Sequence, residues 1–523
     1  MQFIIFVLSA LVLFYIVPQK YRYIVLSIAS IFFFISFSKW LVFAVVGLTL
    51  ILYFAAIAIE KRNNDFKLKR KELEKAERKE LKNQIKKKNK TLIVLCVSVA
   101  FASLAAFKYL PFLTGTVKSA VNVFAPAVNI PILKLIMPIG VSYYTLSMVG
   151  YITDVYRGVI KAQRNPLKLL LFATYFPYLV EGPICSYGEM GKQFAQPKKL
   201  TYNDFLKALE IIILGLIKKM IIADRAAIIA NVVFDDYAKF SGVSVLFAMF
   251  MYTINIYFDF SGCMDLIRGV SLLFGIELPE NFRQPFFSKS VQEFWRRWHI
   301  TLGEWIKKYI FYPVSLSKAN SSFQKKCVNS KLSNHLKNSL PILYPLLFVW
   351  LFNGIWHGAS WKYVLYGIYY YIILSLGVLL EPLFEKICSK LKISRVSKPY
   401  KVFQILRTCV LVMFGLTIFR ADSISAAFKM FVSLFNISNS LGLLGTLYSK
   451  ADLSAFDYVM VLTFTAIMFI ISLKAYKGKD LFEAFEKKPA FRWLYITIGI
   501  ALIVTTGVYG TAYTAQPFVY AQF

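Results

Sequence analysis

Two of the three histidines in this chain directly follow a tryptophan, Trp298-His299 in EFWRRWH and Trp356-His357 in NGIWHGASW. Imidazole suits proton transfer near neutral pH because its unperturbed pKa is about 6.5. Both histidines stand in aromatic, apolar sequence, where an ionisable group in hydrocarbon costs at least ~2.5 kcal/mol and is usually turned toward a protein interior or a cavity. His299 and His357 are therefore the candidate catalytic residues; the competing reading is that each is a hydrogen-bonded packing residue. His335, in the polar stretch KLSNHLKNS, reads as a solvated loop residue.

The neighbours of these histidines supply further candidates. Trp298 and Trp356 adjoin them directly. On a helix, residues four apart share a face, so Trp295 would lie over His299 and Asn353 over His357. Asn353 could then orient the His357 ring, although an interhelical packing contact accounts for it equally well. Asp259 and Asp265, in YFDFSGCMD, fall at apolar depth, and Glu181 falls in YFPYLVEGPICSYGEM. There Pro177, Gly182 and Pro183 must break a helix, and the freed carbonyls need partners. These three carboxylates are candidates for supporting the histidines, with capping and helix pairing as the plainer explanations.

The elements that must hold these residues are membrane helices. The chain is 58% hydrophobic, with 48 Phe and 32 Tyr in 523 residues and a mean hydropathy of +0.57, too apolar for a soluble protein. Apolar stretches recur from 3–17 to 493–509. A span needs about 20 residues, or ~17 at the short end, which predicts roughly ten to twelve crossings together with re-entrant or short helices. The first stretch lacks the basic flank and cleavage site of a signal peptide and is expected to stay in the mature protein. Six scattered cysteines form no CxxC pair, which argues against a zinc site or a disulfide framework.

The net charge of +33 reflects topology rather than nucleic-acid binding, because the basic residues cluster between apolar segments. Residues 60–90 hold the densest block and read as a cytoplasmic loop with helical character, and Lys318–Lys337 as a second such loop. Counting back through three crossings puts the N-terminus outside. The whole of 1–523 reads as one membrane unit, with a signature region over 278–376 and further helices over 390–523.

The segments PENFRQPFFSKSVQEFWRRWHITLGEWIKKYIFYP and NGIWHGASW resemble the signature of the membrane-bound O-acyltransferase superfamily. The similarity is strongest to its bacterial branch of polysaccharide O-acetylating membrane subunits, with the teichoic acid D-alanyl transferases as relatives. Supporting stretches are MPIGVSYYTLSMVGYITDVYRG, INIYFDFSGCMDLIRGVSLLFGIELPENF, FGLTIFRAD and the C-terminal QPFVYAQF. The resemblance implies an all-α polytopic fold around a central tunnel, in which a cytoplasmic acyl donor and an outward-facing acceptor meet near His357, with His299 at the second signature position. One departure is visible: Tyr370 stands where bacterial relatives often carry another histidine.

Acyl transfer to a hydroxyl needs a base, oxyanion stabilisation and exclusion of water. His357 is assigned as general base or transient acyl carrier, which the sequence does not separate, and His299 as an orienting or polarising group. No phosphate loop, metal motif or Ser-His-Asp arrangement appears. By the resemblance, acetyl-CoA is the expected donor, with a carrier-protein thioester as the alternative and no permanently bound cofactor. The expected partners are the lipid bilayer, a polysaccharide acceptor and an extracytoplasmic SGNH-type acetyltransferase. D-alanyl transfer to teichoic acid is the alternative, and a glycolipid transporter or flippase is the rival from another class, although no inverted repeat is visible. The expected location is the cell membrane, spanned many times.

Overall fold

The computed structural model describes residues 2–509 apart from 126, 127, 129, 134, 439, 480 and 487. The QPFVYAQF motif lies outside the described residues. All regular elements among them are helices, as hydrocarbon demands, since each backbone N–H and C=O must be satisfied within its own segment. Among the described residues, eight helical stretches are long and apolar enough to cross a membrane. The first of these, Gln19–Lys69, holds two helices that part at Lys39 (φ 46°, ψ −126°). The chain divides into two compact units.

The first unit comprises residues 1–208 and 270–279. It contains α1 (Gln2–Ile16), α2 (Arg22–Ser38), α3 (Val42–Lys69), α4 (Lys75–Phe124), α5 (Val141–Arg157), α6 (Pro166–Thr174) and α7 (Tyr187–Ala195). The basic block, whose charge spacing gave it helical character in the sequence, is mostly helix. α3 runs on through Lys69 and α4 starts at Lys75, so only the turn between them is irregular. A reciprocal capping box of Glu74 and Glu77 opens α4, satisfying donors that a helix N-terminus otherwise leaves orphaned. Asn89 is buried and donates to Asn63 Oδ1 at 2.9 Å, pinning the two helices where they leave their apolar stretches. The helix break expected around Glu181 is present: α6 stops at Thr174 and helix resumes at Tyr187. The intervening turn is held by Tyr178 Oη donating to Phe172 O at 2.6 Å and by Phe176 N donating to Ser30 Oγ at 3.1 Å. Glu181 is wholly buried within it.

The second unit comprises residues 209–269 and 280–523. α8 (Tyr202–Leu216), which belongs to this unit from residue 209, passes through a π-helical segment, Ile217–Ala223, into α9 (Asp224–Phe234), and α10 (Val243–Leu273), which belongs to it up to residue 269, packs alongside. Gly215 and Gly262 face each other so closely that a Cβ on either would come within 2.8 Å of the other's carbonyl oxygen. Small residues allow such backbone approach between membrane helices. There follow α11 (Val291–Arg297), α12 (Ile300–Ile306), a second π segment Lys307–Phe311, α13 (Tyr312–Ser315), α14 (Lys318–Val328), α15 (Asn334–His357) and α16 (Trp361–Leu379). The unit continues with α17 (Glu381–Lys390), α18 (Lys398–Arg420), α19 (Ile424–Ser433), α20 (Ser440–Lys450), α21 (Ala455–Tyr476), α22 (Leu481–Glu486) and α23 (Pro489–Thr506). Buried ion pairs tie its distant segments together, Arg225 to Asp457 at 2.8 Å and Arg492 to Glu210 at 2.5 Å.

Two local expectations are corrected. Lys318–Lys337 is not a loop but α14, a short turn and the start of α15. His335 accordingly sits in the first turn of α15, half-buried, with Nε2 bonded to Val378 O at 2.9 Å, because the α15 N-terminus packs beside the end of α16.

Candidate active site

His357 is the last residue of α15, and Gly358 leaves the helix in an extended conformation (φ −176°, ψ 164°). The position of this helix end is set by glycine. A Cβ on Gly354 would meet Tyr363 O at 2.3 Å, one on Gly367 would meet Trp350 O at 2.3 Å, and one on Gly358 would enter the Tyr363 ring at 2.1 Å. α15 and α16 therefore pack backbone to backbone, which buries the His357 ring edge-on against Phe419 (5.2 Å between centroids) and Tyr366 (5.8 Å).

His299 is built differently. α11 ends at Arg297, Trp298 is extended (φ −110°, ψ 130°), and His299 itself has a left-handed backbone (φ 47°, ψ 53°) before α12 begins. The expected one-turn stacking of Trp295 over His299 therefore fails, because the helix is interrupted between them. A short antiparallel bridge, Phe282 with Trp298, crosses the break, with Arg283 N donating to Arg297 O (2.9 Å) and Ile300 N to Asn281 O (3.0 Å). Such strained geometry in a non-glycine residue costs ~1–3 kcal/mol and persists where surrounding contacts over-determine it. His299 lies outside the membrane-spanning helices, and burial pushes its imidazolium down to about 3, so the ring is neutral at physiological pH.

The two histidines line one cavity of about 480 Å³ in the second unit, together with Trp295, Trp298, Trp350 and Asn353. Trp356 contacts both imidazoles, 6.0 Å from His299 and 5.1 Å from His357 between ring centroids. Arg296, Glu304 and Lys307 also line this cavity, and all three are exposed, so its wall passes from buried imidazole to solvated charge. Two imidazoles on a largely aromatic cavity bring ring nitrogens to one place for proton transfer, while its apolar walls limit the access of water.

The other candidates divide. Asn353 shares the cavity with His357, but its Oδ1 is buried without a hydrogen-bond partner among the described residues, so no amide oxygen bond orients the His357 ring from there. Asp259 pairs with Lys219 at 2.6 Å, and Asp265 with Lys218 at 2.6 Å. Both aspartates pair α10 with the π segment after α8, and neither lines the cavity. Glu181 lies in the first unit. Tyr370, at the position of the departure, is fully buried, stacked on Trp350 (5.0 Å) and edge-on to Trp295 (4.7 Å). The residue missed in the sequence is Asn281. Its Oδ1 meets His299 Nδ1 at 3.3 Å and also accepts from Thr301 N (3.1 Å) and Thr301 Oγ1 (2.9 Å). It stands in the quoted PENF stretch, but no spacing rule links it to a histidine 18 residues away.

The sequence profile described as the membrane-bound O-acyltransferase family matches residues 127–327, a range that includes His299 and ends before His357. A probable alginate O-acetylase of Azotobacter vinelandii is 28% identical over 76% of this chain and 72% of its own length. Another, from Pseudomonas aeruginosa, is 31% identical over 66% of this chain and 60% of its own. A teichoic acid D-alanyltransferase of Bacillus subtilis is 31% identical over 62% of this chain and 77% of its own length. This chain belongs to the membrane-bound O-acyltransferase family. As a member of that family it is a multi-pass membrane acyltransferase, and its two tryptophan-histidine motifs open on one cavity. The chain spans 72% and 60% of the two alginate-acetylating relatives.

Proposed function

We propose that this acyltransferase takes an acetyl group from acetyl-CoA on the cytoplasmic side and passes it outward to hydroxyls of an extracellular or cell-wall polysaccharide, through an extracytoplasmic SGNH-type acetyltransferase. The observation that carries the reading is the convergence of His299 and His357, from separate segments of the chain, on one aromatic cavity. The names of the alginate relatives support acetyl as the acyl group and a glycan as the acceptor. His357 serves as base or transient acyl carrier, and His299 orients or polarises the reacting hydroxyl. We place the protein in the cell membrane with its N-terminus outside and the helical tips around residues 60–90 inside, the side that Lys and Arg favour.

A second reading is supported by the Bacillus relative, matched over 77% of its length: transfer of D-alanine from a carrier-protein thioester to teichoic acid. Reconstituted protein supplied with radiolabelled acetyl-CoA and the co-encoded partner is expected to label partner or glycan. No label from acetyl-CoA, alongside robust transfer from an aminoacylated carrier, would overturn the acetyl reading in favour of the second. Transfer from neither donor would remove both.

A further inference from the structure

Asn281 joins the two strands of chain that meet at the His299 break, and it does so twice. Its backbone carbonyl accepts from Ile300 N at 3.0 Å. Its side-chain Oδ1 receives Thr301 N, Thr301 Oγ1 and His299 Nδ1 within 3.3 Å, and its Nδ2 points to Met264 Sδ at 3.2 Å. The residue is 2% exposed. We infer that Asn281 is a positioning residue that fixes the tautomer of His299, holding the proton on Nδ1 and the basic lone pair on Nε2.

One group at this clamp has no choice of role. The backbone N–H of Thr301 can only donate, so the Asn281 atom facing it must be the oxygen and not the amide nitrogen. An amide oxygen can only accept. His299 Nδ1, facing the same oxygen, must therefore carry a hydrogen, and a neutral imidazole with Nδ1–H has its lone pair on Nε2. Buried histidines at reactive centres are commonly fixed in this way by a carbonyl or carboxylate on the other ring nitrogen. Here the clamp also supports the left-handed backbone of His299, because it grips the residues on its C-terminal side. An amide rather than a carboxylate at 281 matters: it orients the ring without adding the negative charge that would favour imidazolium. The tautomer follows from hydrogen bonding alone, whereas its use in transfer rests on the acyltransferase reading above.

Because the chain has only three histidines, selective ¹⁵N-histidine labelling of the full protein in detergent micelles gives few signals, and loss of a set in His299→Gln assigns that residue. In wild type at pH 7 the His299 set is expected to show a protonated Nδ1 and an unprotonated Nε2. The opposite tautomer, or a fully protonated ring, would overturn the inference with no activity measurement involved. Asn281→Asp keeps the acceptor and the shape but adds charge, and should move the protonation midpoint of His299 upward by a unit or more. The acid limb of the transfer-rate profile should move with it. Asn281→Ala should lower kcat on the order of 10²-fold with less than about threefold change in KM for the donor. If Asn281→Asp folds and leaves both the titration and the rate profile at wild-type positions, Asn281 is a structural clamp only. Wild-type protein that transfers from neither donor would instead break the functional reading while leaving the tautomer measurement intact.

Discussion

The two histidine sites hold the same imidazole by different means. At His357 an unbroken helix ends against its neighbour, glycines bring the backbones together, and the ring is gripped by Tyr366 and Phe419. At His299 the helix is broken, the backbone is left-handed, and the ring is gripped by a polar clamp centred on Asn281. Shape should therefore govern the first site and hydrogen bonding the second. Substitutions that respect volume but lose polarity should damage His299, and those that add volume should damage His357.

The largest expected effect tests the premise that both sites serve one reaction. His357→Ala or His357→Gln should reduce acyl transfer by about 10²–10⁴-fold, the range for loss of a general acid–base group, while membrane expression holds. His299→Gln should cost on the order of 10²-fold. Near wild-type turnover in purified His357→Ala would break the assignment.

Next in size is Gly358→Ala, which places a Cβ 2.1 Å from a Tyr363 ring carbon. The ring or the helix end must shift, at about 1–3 kcal/mol for an overpacked site, and transfer should fall roughly tenfold through misplacement of His357. An unchanged melting temperature with unchanged turnover would show that this helix end is compliant, and the contrast between the two sites would dissolve.

The pH dependence of stability sharpens the other half of the comparison. Folded His299 has its imidazolium pushed down to about 3 by burial, against about 6.5 in the unfolded chain. The fold favours the neutral ring, so this contribution is fully present above pH 6.5 and is lost as pH falls toward 3, by about 1.4 kcal/mol per unit. Thermal denaturation at pH 8 and pH 5 should show wild type losing more stability than His299→Gln. Equal losses would mean that the imidazolium is accommodated and the clamp is looser than described.

The smallest effect is expected at the third histidine. His335→Ala removes one hydrogen bond to Val378 O at the α15–α16 junction, worth ~1 kcal/mol, and should leave transfer unchanged. A loss of transfer there would show that the register of α15 on α16 is what sets His357, and not the glycine contacts near its end.

Much of the architecture and part of the site could be read from residues alone. Hydrocarbon permits few backbone solutions, so apolar length and composition determine an all-helical membrane protein. The Pro–Gly cluster determines the break around Glu181, and the tryptophan-histidine motifs determine the family and its two imidazoles. Long-range pairing is not encoded in spacing. Asp259 and Asp265 look like intramembrane chemistry in sequence, but the π segment after α8 brings Lys219 and Lys218 to them, and they serve as ion-paired packing. Helical periodicity places Trp295 over His299 and Asn353 beside the His357 ring. The tertiary fold instead interrupts the helix at Trp298 and gives His299 a partner from Asn281. What the sequence by itself determined is which groups can do chemistry and the solvent in which they fold, because side-chain identity and apolar length are local properties. What only the tertiary structure decided is which atom of each ring is held and by what, because a hydrogen bond between residues 281 and 299 exists only once the chain has turned back on itself.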